Sequence, residues 1–418
     1  MRLGEAVSTN LTGARVLLLI PAETYRATDF IVAANRMGLE LVVGSDGALP
    51  LGDRPVVPLV PDDVGGSADR LASSAGRFDA VVGVDTTMLV PAAAVAARLG
   101  LPHNPIRSVE AAMDKAEQRR VWAAARVPQP EFRVVPAEAP DDAVILAAAE
   151  VGFPCVVKAV SLSASQGVLR ADDQTAAAAA AETIRRVLMD AGRPETEPLL
   201  FEEYVPGPEV SIDGLLTDDS FTVTAVFDKP DTPDGPTFEE TLLVTPSRLP
   251  EPALDALVDT AREAARALGL RYGPIHAELR MDNRVGEVAP TMLELAARSI
   301  GGLCSRTLRF LDGVSLEEKV LANALGRPVS TPEVARPSGV LMLYPERPGT
   351  LRAVEGRSEA AAIPGITGLS ITIAVGRRVR SLPEGDRYLG FIFAEGDTHE
   401  AVAAALHEAR DRLRVVID

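Results

Sequence analysis

Residues 152–170 read GFPCVVKAVSLSASQGVLR, and one cation among them stands where its chemistry is constrained. Lys158 follows an apolar run that begins at Phe153. A buried ammonium must meet an anion or reach water, because desolvating an unpaired charge is very costly. The segment after it, SLSASQG, offers serine hydroxyls and backbone N–H groups, and Gly167 permits close approach of a ligand. A lysine at a strand end followed by a Ser/Gly loop points to a phosphate site. It is not a Walker A loop, in which the lysine ends the loop instead of preceding it. The alternative for Lys158 alone is a stem lying along the strand with its amine snorkelling to water.

A second set of residues carries metal chemistry. In IHAELRM (275–281) the strand period of two puts His276, Glu278 and Arg280 on one face and Ala277, Leu279 and Met281 on the other. In MLELAARS (292–299) the same period aligns Glu294, Ala296 and Arg298, with Leu293, Leu295 and Ala297 opposite. If the two strands pair, two carboxylates face one cavity with an arginine beside them. Hard oxygen ligands on neighbouring strands suit Mg2+, which keeps its other positions for water and substrate phosphates. The competing reading is a polar face with a Glu–Arg pair. His276 shares the face of Glu278 and either orients a substrate or bonds within the core. Cys304 reads as a packing residue, since no base stands near it in sequence.

The elements that must position these groups follow from apolar patterning. ARVLLLIP (14–21), LELVVGSD (39–46) and FDAVVGVD (78–85) are buried strands, with helices over 25–38 and 88–100 between and after them. Such alternation predicts βαβ units and a parallel sheet, without the G-x-G-x-x-G turn of dinucleotide binders. From Ser108 a charged helix runs to the breaks at Pro128 and Pro130. A strand at 132–135, a helix at 141–151 and an Ala-rich helix at 172–192 surround the Lys158 segment. LLFEEYVPG (199–207) and EVSIDGLLTD (209–218) read as a strand pair that FTVTAVFDK (221–229) extends. Beyond a helix at 251–268 and the two acidic strands, TPEVARP (331–337) reads as a linker, and short strands with a final helix make a small α+β unit.

Composition narrows the function classes. The chain has 418 residues, room for two or three cores, and 47% hydrophobic with 24% charged residues, as ordinary globular proteins do. A net charge of −17 argues against a nucleic-acid partner, whose footprint is basic. No apolar stretch reaches the length of a membrane span, and MRLGEAVSTNLTG lacks the apolar centre of a signal peptide. Two cysteines and four scattered histidines give neither a disulfide framework nor a zinc spacing. The expectation is a reduced, cytoplasmic protein.

Taken in order, GLPHN (100–104), Asp114-Lys115, Val127-Pro128-Gln129-Pro130, GFPCVVKAVSLSASQGV, FEEYVPGPEVSIDG, HAELR and LELAARSIGG resemble the ATP-grasp superfamily. Within it the chain most resembles the L-amino acid ligases and carnosine synthase-like carboxylate–amine ligases, over essentially its whole length. The resemblance implies an α/β and α+β fold of ATP-grasp architecture. It would comprise an N-terminal Rossmann-like parallel-sheet domain (1–107), an ATP-grasp domain (108–330, lid about 130–200) and a small C-terminal α+β domain (331–418).

The resemblance also implies roles. Lys115 and Lys158 would contact ATP phosphates, under a loop containing Ser163, Ser165 and Gly167. Glu202, Glu203 and Val205 would hold adenine, largely through backbone groups, and Glu209 the ribose. Glu278 and Glu294 would bind one or two Mg2+ ions, for which Mn2+ can substitute. Arg298 would steady the transferring phosphoryl group and the tetrahedral intermediate, while main-chain amides at Gly301 and Gly302 would meet a substrate carboxylate or oxyanion. His276 is a candidate catalytic group beside them. Ala296 stands where many ATP-grasp carboxylases carry a metal-binding asparagine, which leaves the number of ions open.

The implied partners are a small-molecule carboxylate and an amine, with no nucleic acid and no membrane; dimers are common in the superfamily, so a homodimer is a candidate state. The implied reaction is ATP-dependent amide formation through an acyl phosphate on amino acid substrates. Its alternatives are an ATP-grasp enzyme of the purine-biosynthesis or carboxylase type and a catalytically silent nucleotide-binding protein.

Overall fold

The computed structural model describes residues 11–49, 56–60, 63–74, 76–218, 220–282 and 289–418. Most of MRLGEAVSTNLTG therefore lies outside the described residues. The first unit is a parallel sheet of β1 (Arg15–Leu19), β2 (Glu40–Ser45), β3 (Val56–Pro58) and β4 (Ala80–Gly83), in the order β3-β2-β1-β4. Residues Val16 to Leu19 are fully buried, as a strand covered on both faces requires. Helices Ala27–Arg36 and Leu89–Leu99 follow strands as the alternating pattern predicts, and Gly100, at φ 66°, ends the second.

One predicted helix is two. The charged segment after Ser108 divides into Ile106–Ala111 and Lys115–Ala125. Asp114 takes extended dihedrals between them, and its Oδ1 accepts from the Glu117 N–H at 2.9 Å. This N-cap satisfies a donor that a continuous helix would have used. It places Lys115 at the start of the second helix, with its backbone N–H 3.0 Å from the Val160 carbonyl oxygen beside the Lys158 strand.

The second sheet holds β5 (Phe132–Val135), β6 (Cys155–Ala159), β7 (Val168–Ala171) and β8 (Leu199–Glu203), antiparallel in the order β5-β8-β6-β7. Helices Asp141–Val151 and Gln174–Asp190 cover it, and Ala177, Ala181 and Ile184 pack into its core with Cys155, Val157 and Phe201.

The central sheet starts with β9 (Glu209–Thr217), β10 (Ser220–Asp228), β11 (Leu242–Thr245), β12 (Tyr272–Asp282) and β13 (Ala289–Ala296). The segments after them are β14 (Ser338–Leu343), β15 (Gly349–Glu355), β16 (Ile366–Ile371), β17 (Arg378–Val379), β18 (Gly390–Glu395) and β19 (Arg414–Ile417). Eight strands form one sheet in the order β13-β12-β9-β10-β11-β14-β18-β16, and a smaller sheet runs β17-β15-β19. The expected pairing of residues 199–207 with 209–218 does not occur: β8 belongs to the four-stranded sheet and β9 to the central one. Pro206, Gly207 (φ 113°) and Pro208 lie between them and redirect the chain from one sheet to the other. Among the described residues no helix is long and apolar enough to cross a membrane.

Candidate active site

A cavity of about 1200 Å³ is lined by residues of the first unit, the four-stranded sheet, the central sheet and the segment 372–388. Along β12, His276, Glu278 and Arg280 line it, while Ala277, Leu279 and Met281 are buried in the core beneath. Glu278 pairs directly with Glu294 across β12 and β13, so both predicted carboxylates stand on the same side of the sheet. Strict alternation fails one residue earlier. The register shifts between Glu278 and Leu279, which makes Leu293 an extra residue on β13, and Leu293 lines the cavity beside Glu294 instead of facing the core.

Strand β9 supplies partners the sequence reading missed. Its Glu209, Ser211 and Asp213 register against Arg280, Glu278 and His276. Asp213 is buried; its Oδ1 accepts from the Ile300 N–H at 2.7 Å and its Oδ2 lies 3.0 Å from His276 Nδ1. Glu278 Oε1 is 3.4 Å from His276 Nε2. Burial disfavours the imidazolium, but Asp213 and Glu278 outweigh it and push the His276 pKa up to about 9.

Lys229, immediately after β10, sits among three carboxylates. Its Nζ is 2.6 Å from Glu209 Oε1 and 3.6 Å from Glu278 Oε2, and it also pairs with Glu240. Burial would lower its pKa, and the surrounding carboxylates instead hold it well above the ordinary lysine value. Burial raises the Glu240 carboxyl, while Glu278 is held low against the same effect by Lys229 and His276. One oxygen each from Glu209, Glu240 and Glu278 lie within 4.8 Å of one another. That hard-oxygen set, with Glu294 next to it, fits a divalent cation such as Mg2+.

The two predicted phosphate lysines line the same cavity. Lys115 Nζ lies 3.1 Å from Glu294 Oε1 and donates to the Leu162 carbonyl at 2.5 Å. Lys158 Nζ lies 2.6 Å from Glu202 Oε2, whose other oxygen accepts from Arg119 Nε at 2.6 Å. Glu202 is 1% exposed; burial disfavours its charge, and the two cations overcome that and lower its pKa to about 2. Glu203 and Val205 follow on the cavity wall, and the Val205 carbonyl accepts from Arg280 Nη1 at 2.8 Å. Both Glu209 oxygens are engaged, one by Lys229 and the other by Arg280 Nε at 2.8 Å.

The Ser/Gly loop is a defined turn here. Ala164, Ser165 and Gly167 have φ of 55°, 60° and 64°, and a left-handed conformation costs roughly 1–2 kcal/mol at each non-glycine residue. Contacts with the chain between β17 and β18 hold it: Gly167 N–H donates to the Pro383 carbonyl at 3.0 Å, and Gln166 Nε2 to that of Glu384 at 2.9 Å. Ser163 and Ser165 line the cavity beside these bonds. On the opposite strand end, Arg298 Nε donates to Thr86 Oγ1 at 3.1 Å, and Gly301 and Gly302 follow it on the wall. Buried Arg26 bonds Ser299 Oγ at 2.6 Å and pairs with Asp85 at 3.2 Å, which ties this turn to the first unit.

Lys229, Glu240 and Asp213 carried little signal. The first two fall in residues 227–247, a stretch with no regular period, and Asp213 was one polar residue in a strand.

Residues 151–307 match the model of the ATP-grasp domain, and residues 341–418 match L-amino acid ligase C-terminal domain 2. The chain is 27% identical to alanine–anticapsin ligase of Bacillus subtilis over 272 residues, 60% of this chain and 56% of that protein. It is 30% identical to carnosine synthase 1 of Gallus gallus over 299 residues, 67% of this chain and 32% of that protein. It thus spans about half of the first ligase and a third of the second. A crystal structure of an L-amino acid ligase from Bacillus licheniformis superposes with a TM-score of 0.77 at 24% identity, covering 97% of this chain and 99% of that one. The architecture is the ATP-grasp fold that the ordered motifs imply.

Proposed function

From the premise that the chain is an ATP-grasp protein with an L-amino acid ligase C-terminal domain, we propose that it is an ATP-dependent carboxylate–amine ligase acting on amino acids. The observation that carries this reading is the convergence of Lys115 and Lys158 with Glu209, Glu240, Glu278 and Glu294 on one cavity that also holds Arg298 and the Gly301–Gly302 turn, with buried Lys229 paired to three of those carboxylates.

A carboxylate is a poor electrophile until one of its oxygens becomes a leaving group. ATP with Mg2+ supplies that activation, converting the carboxylate to an acyl phosphate with release of ADP; an amine then displaces phosphate to form the amide. The chain's share is positioning and charge neutralisation. Lys115 and Lys158 hold phosphate oxygens, and the Glu278–Glu294 pair with Glu240 holds the metal. Arg298, oriented by Thr86, faces the charge that develops on the reacting carbonyl. The 161–167 turn, bonded to residues 383 and 384, keeps water from the acyl phosphate.

The test is release of ADP and phosphate from ATP and Mg2+ with pairwise mixtures of amino acids. Turnover that needs both members of a pair is the expected outcome. Formation of AMP and pyrophosphate, or turnover with bicarbonate in place of an amino acid, would refute the proposal.

A further inference from the structure

Strand β6 pairs with β8 as far as Ala159 and Leu199. The next pair in that register is Val160 with Pro198, and proline has no N–H with which to continue the ladder. The Val160 carbonyl accepts instead from the Lys115 N–H at 3.0 Å. One step further Ser161 meets Glu197, and there a side chain takes over from the backbone. Ser161 Oγ donates to the two carboxylate oxygens of Glu197 at 2.7 and 2.9 Å, and the Ser161 N–H donates to Oε1 at 3.3 Å.

Glu197 is buried, at 9% exposure, so its charge needs partners. Arg193 Nε, from the turn after the helix Gln174–Asp190, supplies one at 3.1 Å, although the arginine side chain is 42% exposed. The serine supplies the rest. Ser161 and Arg193 both line the cavity, and the Glu197 carboxylate ties them together.

This contact fixes where the Ser/Gly turn begins. The chain leaves the four-stranded sheet at Ser161 and rejoins it at Gly167, whose carbonyl accepts from the Ala159 N–H at 2.8 Å. Leu162, the first residue past the anchor, offers its carbonyl to Lys115 Nζ. The bonds to Pro383 and Glu384 tie the turn to a distant part of the chain, whereas Glu197 belongs to the same four-stranded unit as Ser161 and travels with it.

We propose that Glu197 is a positioning residue for phosphate binding. By holding Ser161 it sets where the hydroxyls of Ser163 and Ser165 and the amine of Lys115 meet phosphate oxygens, while reaching the cavity only through Ser161 and Arg193. The inference rests on the reading that the 161–167 turn covers ATP phosphates. The competing role for Glu197 is to hold the 192–198 turn on its sheet, which would affect stability without affecting phosphate affinity.

Calorimetric titration of the intact protein with ATP and Mg2+ separates the two and requires no amide formation. Glu197→Ala should raise Kd for ATP by roughly 10-fold, the scale of one hydrogen bond to a charged group. Ser161→Ala should raise it by a smaller factor, because its N–H remains, and it serves if Glu197→Ala does not fold. The double variant should bind no more weakly than Glu197→Ala, since both changes remove one contact. Glu197→Gln keeps a carbonyl oxygen for Ser161 while exposed Arg193 turns to water, and should return Kd to within about 3-fold of wild type. In turnover these variants should raise KM for ATP and leave KM for the amino acids unchanged, a split that general destabilisation does not produce. Unchanged ATP affinity in both alanine variants, additive effects in the double variant, or no recovery in Glu197→Gln would overturn the inference and leave the ligase reading standing. A wild-type protein that binds ATP but joins no pair of amino acids would remove the ligase reading, with the titrations still deciding the role of Glu197. One that binds no ATP would refute both.

Discussion

Replacing Lys229 by methionine keeps an apolar stem of similar length and removes the charge. Of its three carboxylate partners, Glu209 retains Arg280 at 2.8 Å and Glu278 retains His276 at 3.4 Å. Glu240 has no second ion pair among the described residues and keeps only the more distant charge of His276. Breaking a buried pair from one side costs about 3–5 kcal/mol. The Glu240 side chain is 19% exposed, which favours the lower end, about 3 kcal/mol. At about 2.1 cal/mol/K per residue over 418 residues, the thermal midpoint at neutral pH falls by roughly 3–4 °C. Two routes restore it. Protonation of Glu240, whose carboxyl burial already raises and which rises further without Lys229, shrinks the deficit as pH falls. A divalent cation held by Glu209, Glu240 and Glu278 does the same without competition from an ammonium. Thermal unfolding of wild type and variant at pH 5 and pH 8, with and without Mg2+, measures both. A variant midpoint within about 1 °C of wild type, or a Mg2+ response no larger than that of wild type, would refute the electrostatic reasoning.

Other perturbations have equally definite outcomes. Glu202, lowered from 4.5 to about 2, contributes about 3 kcal/mol that is fully present above pH 4.5 and lost as pH falls through 2. Glu202→Gln should therefore flatten the acid limb of the stability profile, and an unchanged limb in acid-unfolding curves would remove the Arg119–Glu202–Lys158 cluster from the account. Gly167→Ala adds a Cβ 3.0 Å from that of Ala159 at φ +64°, so it should loosen the turn and raise ATP hydrolysis uncoupled from amide formation; a product ratio equal to that of wild type would show the turn does not seal the site. Glu294→Ala should abolish turnover at ordinary Mg2+ with folding intact by circular dichroism. Full activity in that variant would sink the metal assignment.

What the sequence made legible is what short-range geometry controls. His276, Glu278 and Arg280 were readable because β12 has one face on a packed core, so a period of two separates polar from apolar residues without knowledge of its neighbours. The break at Asp114 also had a local signal, since Asp114 and Glu117 stand at N-cap spacing, but the continuous charged pattern masked it. The bulge at Leu293 did not, because a register shift is a property of two strands. Lys229 and Glu240 were hidden for a related reason. They meet Glu209 and Glu278 only because the end of β10 lies beside β9, and β9 beside β12. The assignment of β8 and β9 to different sheets is likewise a matter of which partners each strand finds.

The pairing of charges explains how a chain of net charge −17 can admit a polyanion. On the proposed reading, Lys115 and Lys158 each give up a carboxylate partner in order to meet phosphate oxygens. A lysine that left a buried carboxylate bare would forfeit more than a new ion pair returns. Glu202 avoids this because it keeps Arg119 when Lys158 leaves. Glu294 has no second ion pair among the described residues, its partner being Lys115. On that reading Glu294 needs a cation that arrives with the phosphates, so the metal would bind as part of the nucleotide complex and not before it. Mg2+ affinity should therefore rise by at least about 10-fold when ADP is present, a linkage that titration of the metal with and without nucleotide reads directly. Equal affinity in both titrations would mean that the lysines and the metal do not exchange partners.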